Sequence, residues 1–153
     1  MQRIDSRLEE LSITLPDAPA PIADYVPYVK TGSLLFVSGQ IPVTADGMIT
    51  GKLGANVSIE EGQHAAHICG INLLSQLKAA CDGDLDRVKR VVKLGGFVNC
   101  TPDFNDHPKV INGTSSLMVA VFGVDGKHAR AAVGAPSLPM DAAVEVDGVF
   151  EIS

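Results

Sequence analysis

Apolar residues change their spacing several times along this chain, and each change marks an element. The chain opens with a short amphipathic stretch that gives way, through Pro16, Pro19 and Pro21, to a turn-rich connector ending near Ala23. Two apolar runs follow, Tyr25–Lys30 and Ser33–Gly39, separated by Thr31-Gly32, and they read as a hairpin. The second run is apolar at consecutive positions, Leu34 to Val37. Strand side chains alternate between faces, so both faces of this strand need cover: helices on one, a second partner on the other. Residues Gln40–Val57, rich in glycine, proline and polar side chains, read as a loop.

Ser58-Ile59-Glu60-Glu61 is a capping box that opens a helix. Ala65, Ile68, Cys69, Ile71, Leu74, Leu77 and Cys81 follow the helical period, and Gly83 supplies the stop. Arg87–Cys100 reads as a long strand, with Gly95-Gly96 a bulge or a site of close packing. A second helix opens near His107-Pro108, carries Val110, Ile111, Thr114, Leu117, Met118 and Val121 as its inner stripe, and ends at Gly123. Two strands close the chain, His128–Gly134 and Ala142–Ile152. The order β-β-α-β-α-β-β predicts an α+β fold, a single mixed β-sheet with two helices packed on one face. The length, 153 residues, suits one domain over 1–153, with 1–22 as an N-terminal extension.

Alternation along the last two strands sorts candidate chemistry. Arg130 shares its side with Ala132 and Gly134, and such small neighbours leave room around a guanidinium, as an anion pocket requires. An exposed charge or a structural ion pair is the plainer reading of a strand arginine. On the final strand Val144, Val146, Phe150 and Ile152 form the helix-facing core, leaving Ala143, Glu145, Asp147, Val149 and Glu151 on the other side.

Charge narrows the function classes. Eighteen acidic against 12 basic side chains give a net charge of −6 and a pI near 5.0, which disfavours nucleic acid as the main partner. Charged residues make up only 20% of a chain with a mean hydropathy of +0.21, so part of its surface is expected to be hidden by copies of itself. Cys69, Cys81 and Cys100 lack metal or redox spacing and read as reduced, buried thiols. Cys100 has no evident histidine partner for nucleophilic work. His64 and His67 lack a third metal ligand, and Asp82, Asp84 and Asp86 lack the glycine and glutamate of a calcium loop. With no signal-peptide core and no apolar run long enough to span a bilayer, the expected location is the cytoplasm, with no membrane partner.

Three blocks are recognisable: Val29–Val43 (VKTGSLLFVSGQIPV), Val92–Asn99 (VKLGGFVN) and Arg130–Val146 (RAAVGAPSLPMDAAVEV). In order and spacing they resemble the signature of the RidA/YjgF family, from about Ala23 to Ile152, and Val110-Ile111-Asn112 falls where expected. The most specific block is the last, with Arg130, Val133, Leu138, Pro139 and Glu145 in register. The resemblance implies a chorismate-mutase-like fold assembled as a homotrimer, sheets inward, with sites in clefts between subunits. It implies hydrolysis of 2-imino acids to 2-keto acids and ammonia, with no metal or bound cofactor. By the same resemblance Arg130 grips the substrate carboxylate, Glu145 holds or activates the attacking water, and Tyr25, Ser38 and Asn112 line the pocket beside the Gly39 backbone. A cysteine frequent in relatives two residues after the arginine is Ala132 here. A non-catalytic trimer that binds a small carboxylate and regulates a partner would use the same arginine. RNA cleavage, attributed to some relatives, fits the acidic chain less well.

Overall fold

From the N-terminus the elements run α1 (Arg3–Glu10), β1 (Tyr28–Thr31), β2 (Leu34–Gln40), the short pair β3 (Val43–Thr44) and β4 (Gly47–Met48), α2 (Ile59–Ala80), β5 (Val88–Asn99), α3 (His107–Phe122), β6 (Ala129–Ala135) and β7 (Val144–Ile152). The structure is a computed structural model that describes residues 3–18 and 24–153. The last part of the expected proline-rich connector, residues 19–23, lies outside them. Five strands form one mixed sheet in the order β1-β2-β7-β5-β6. Only β5 and β6 are parallel; the other neighbours are antiparallel.

Alternation works as expected along β7, where Val144, Val146, Phe150 and Ile152 are buried and Glu145, Asp147, Val149 and Glu151 are half-buried; Ala143, expected on the same side as Glu145, precedes the strand and is buried in the core instead. The buried row meets α2, while β5 meets α3, so both helices cover the same side of the sheet. Removing Phe150 from water stabilises the fold by about 1.5–3 kcal/mol. Gly95 and Gly96 mark close packing: a Cβ at Gly96 would lie 2.6 Å from the Ile111 side chain, and one at Gly95 would lie 2.4 Å from Asp147 Oδ1. The bulges of β5 fall earlier, between Val88 and Lys93.

Helix α2 begins with the expected box: Ser58 Oγ accepts from the Glu61 amide at 3.1 Å, and the Glu61 carboxylate accepts from the Ser58 amide. It packs tightly on α3, where the buried Thr114 hydroxyl donates to the Ala66 carbonyl at 2.5 Å. Helix α3 runs from His107 to Phe122 with its expected inner stripe buried, and stops at Gly123, whose φ of 64° suits a residue without a side chain.

Two expectations need correction. The helices number three among the described residues, because the opening stretch forms α1. Its Ile4 and Leu8 join the same core, and Asp86, more than eighty residues away, caps it by accepting from the amides of Arg3 (2.9 Å) and Ile4 (2.8 Å). The segment Gln40–Val57 is not all loop, since it contains the β3–β4 hairpin and bridges from Thr50 to Ala142 and from Leu53 to Cys100. Lys52 fastens this segment to the sheet end: its ammonium donates to Asn99 Oδ1 at 2.7 Å and to the Pro136 carbonyl, while Asn99 Nδ2 donates to Asp141 Oδ1 at 3.1 Å. No helix among the described residues is long and apolar enough to cross a membrane.

Candidate functional site

Arg130 lies on an edge strand, and parallel pairing sets it beside Leu94 of β5. Leu94 is fully buried, so Arg130 points to the helix-covered side. There its Nη1 donates to Asn112 Oδ1 at 2.8 Å and to Ser115 Oγ at 3.2 Å. Asn112 and Ser115 are three apart on α3 and therefore share one of its faces. Both partners are neutral, and no ion pair among the described residues involves Arg130. Its charge is held in place without being compensated. Nη2 and Nε donate to no described protein group, which leaves one edge of the guanidinium fork open.

Ala132 and Gly134 continue this side of β6. Ala132 is half-buried and packs against the core. Gly134 is crowded: a Cβ there would lie 2.7 Å from both Cys100 Sγ and His107 Nε2. Those two atoms are 3.5 Å apart, so Cys100 does have a histidine partner, contrary to the sequence reading. The turn between β5 and α3 folds His107, seven residues on, back over the strand end. Cys69 and Cys81 are buried and all three thiols are free; burial pushes the Cys69 thiol far up.

Glu145 occupies the opposite side of the sheet. It pairs in register with Phe97, and Phe97 with Val133, all on the helix-free face. Burial raises the Glu145 carboxyl above its ordinary range, and the nearby Asp147 charge raises it further. Asp147 is itself raised by burial. Gly39 brings its backbone against Glu145: a Cβ at position 39 would lie 2.7 Å from Oε2. The irregular register of β2 between Val37 and Gln40 allows this approach. Ser38, next to it, donates its hydroxyl to the Val26 carbonyl at 3.0 Å, and Tyr25 is 65% exposed on the segment leading into β1.

The expected residues therefore fall into two groups. Arg130, Asn112 and Ala132 stand together on the helix side of β6, whereas Glu145 and Gly39 stand together on the other face, with Ser38 beside them in β2. One chain does not bring Arg130 and Glu145 together. Sequence reasoning missed Ser115 and His128, whose Nε2 lies 2.9 Å from Ser115 Oγ; a serine and a histidine with no motif around them carry little signal.

Other candidates stay apart from these groups. His64 and His67 stack at 6.4 Å, and no cluster of three or more His, Cys, Asp or Glu among the described residues could hold a metal ion. Two open surface hollows, of about 540 and 350 Å³, flank the N-terminal segment and α3 and contain none of the expected site residues.

The model of the family described as "YjgF/chorismate_mutase-like, putative endoribonuclease" matches residues 5–151. The chain belongs to the RidA/YjgF family. It is 50% identical over 153 residues to Protein TCP17 of Trypanosoma cruzi, covering 99% of this chain and 95% of that one. It is 30% identical over 138 residues to a 2-iminobutanoate/2-iminopropanoate deaminase of Escherichia coli, covering 90% and 94%. Among solved structures, Atu1372 of Agrobacterium tumefaciens, a protein of unknown function, superposes with a TM-score of 0.92 at 47% identity, covering 99% and 93%. The matched span includes both Arg130 and Glu145.

Proposed function

We propose that the protein hydrolyses 2-imino acids to 2-keto acids and ammonia, in clefts formed between copies of the chain in a homotrimer. The observation that carries this reading is Arg130: a half-buried guanidinium fixed by two neutral side chains, with Nε and Nη2 left to take a carboxylate in two parallel hydrogen bonds. An arginine serving as a structural ion pair would face an acid, and this one does not. The deaminase relative in Escherichia coli, matched along most of both chains, supports the same chemistry.

The separation of Arg130 from Glu145 supports an assembled site. A small substrate touching both needs Arg130 from one copy and Glu145 from the next. The helix-free face offers a seam for such packing, since Val29 (54%), Phe36 (45%) and Val133 (47%) are exposed on it. Phe36 is the residue of β2 for which the sequence demanded a second cover. In the cleft, Arg130 holds the carboxylate and orients the adjacent C=N carbon. Glu145 takes a proton from water as the oxygen bonds to that carbon and the C=N electron pair moves to nitrogen; it returns the proton to the nitrogen, and the C–N bond breaks to release ammonia as the hydroxyl gives up its proton and becomes the keto C=O. Burial favours a Glu145 with raised proton affinity, which suits proton exchange closer to neutral pH. The three free thiols fit a reducing compartment such as the cytoplasm.

The test is hydrolysis of freshly generated 2-iminobutyrate. Wild-type protein should accelerate the loss of the imine, and Arg130→Ala should abolish that acceleration while circular dichroism stays unchanged. Full activity in the variant overturns the assignment. A wild-type protein that binds small carboxylates without hastening imine decay would favour the regulatory trimer instead.

A further inference from the structure

We infer that Ser115 and His128 are positioning residues for Arg130, forming with the Gly126 carbonyl a hydrogen-bond relay of fixed direction that aims the guanidinium. The inference rests on Arg130 being the carboxylate-binding group. The relay starts where Gly126 packs on α3. A Cβ at Gly126 would lie 2.2 Å from the Met118 carbonyl oxygen and 2.9 Å from Val119 Cα, so the backbone there sits against the helix with no room for a side chain. The Gly126 carbonyl is thereby held in place, and a carbonyl only accepts.

His128 Nδ1 lies 2.6 Å from that oxygen and so carries the hydrogen. A neutral imidazole protonated at Nδ1 has a bare Nε2, which can only accept. Ser115 Oγ lies 2.9 Å from Nε2, so the serine hydroxyl gives its proton to the ring. With that proton committed, the lone pairs of Ser115 remain for Arg130 Nη1 at 3.2 Å, and a guanidinium only donates. With the ring neutral, each link has one polarity. The acceptor Asn112 Oδ1 meets the same nitrogen at 2.8 Å, so Nη1 is gripped from two points on α3 while Nε and Nη2 donate to no described protein group. Without Ser115 the guanidinium would hang on one side-chain amide that is free to turn.

Two measurements test this on the full-length, assembled protein. Nitrogen-15 NMR of the histidine rings should show His128 protonated at Nδ1 and bare at Nε2; the opposite tautomer overturns the relay. Calorimetric titration with 2-ketobutyrate, a carboxylate that undergoes no hydrolysis, reads Arg130 without requiring turnover. Ser115→Ala and His128→Ala should each weaken binding about tenfold, as for a lost hydrogen bond to a charged group. Ser115→Thr, which keeps the hydroxyl, should restore most of it. Alanine favours a helix, so Ser115→Ala should fold normally. If wild-type protein does not bind the keto acid, the role given to Arg130 fails and this inference falls with it. If wild-type binds and both alanine variants bind equally well, the relay alone is wrong.

Discussion

Replacing Gly39 with alanine separates the placement of Glu145 from the stability of the fold. Gly39 is not among the positive-φ residues, so alanine fits its backbone, and stiffening the unfolded chain would by itself stabilise the protein by about 0.4–1 kcal/mol. Against that, the new methyl carbon would sit 2.7 Å from Glu145 Oε2, 2.9 Å from Cδ and 3.0 Å from Cγ. Carbon contacts relax near 3.5 Å, so the carboxylate must retreat by roughly 0.5–0.8 Å. Because the obstacle is a jointed side chain rather than backbone, the cost belongs at the low end of the ~1–3 kcal/mol seen for overpacking. The two effects nearly cancel, and the melting temperature should move by no more than about 2–4 °C. Activity should suffer far more. Misplacing a reacting group by about 1 Å can cost a hundredfold, so Gly39→Ala should lower kcat/KM for 2-iminobutyrate by about ten- to a hundredfold. Stopped-flow decay of the imine, set beside a thermal melt of the same sample, gives both numbers. Wild-type kcat/KM with an unchanged melt would mean that Glu145 does not act where proposed.

The pH dependence follows from two carboxyls shifted in opposite directions. Glu145 is raised by burial and then by Asp147, so the acidic limb of kcat/KM should lie above the ordinary carboxyl range, and Asp147→Asn should move that limb to lower pH. Asp86 is lowered, chiefly by the Ile4 amide. A depressed carboxyl contributes stability that is present above its unfolded value of about 3.8 and is lost as pH falls through the lower folded value. Hydrogen exchange at low pH should therefore show α1 opening early, and Asp86→Ala should produce the same opening at neutral pH at a cost of about 1 kcal/mol.

Much of the fold was legible because its signals are local. The box at Ser58, the stripe of α3 and the alternation of β7 each depend on residues within a turn or two of one another. The cap on α1 was not, because Asp86 joins it from the far side of α2 and nothing in a linear reading links the two. Cys100 and His107 were read apart for a similar reason, since their meeting depends on the path of the turn between β5 and α3. Arg130 and Glu145 were legible as residues but not as a pair. Alternation assigns side chains to faces within one strand, whereas relating the faces of β6 and β7 requires the pairing of both with β5, one parallel and one antiparallel. Ser115 and His128 gained meaning only once Arg130 was seen to turn toward α3.

Strand β6 has hydrogen-bonded neighbours on one side alone, and none of its seven residues is fully buried. Opening such a rung costs less free energy than opening the strands inside the sheet. The cation rides on the part of the molecule readiest to drift, and the tethers from α3 do the work that a second flanking strand would otherwise do. Rigidity here is borrowed from a helix, so whatever loosens α3 should blur the aim of Arg130 well before the protein unfolds.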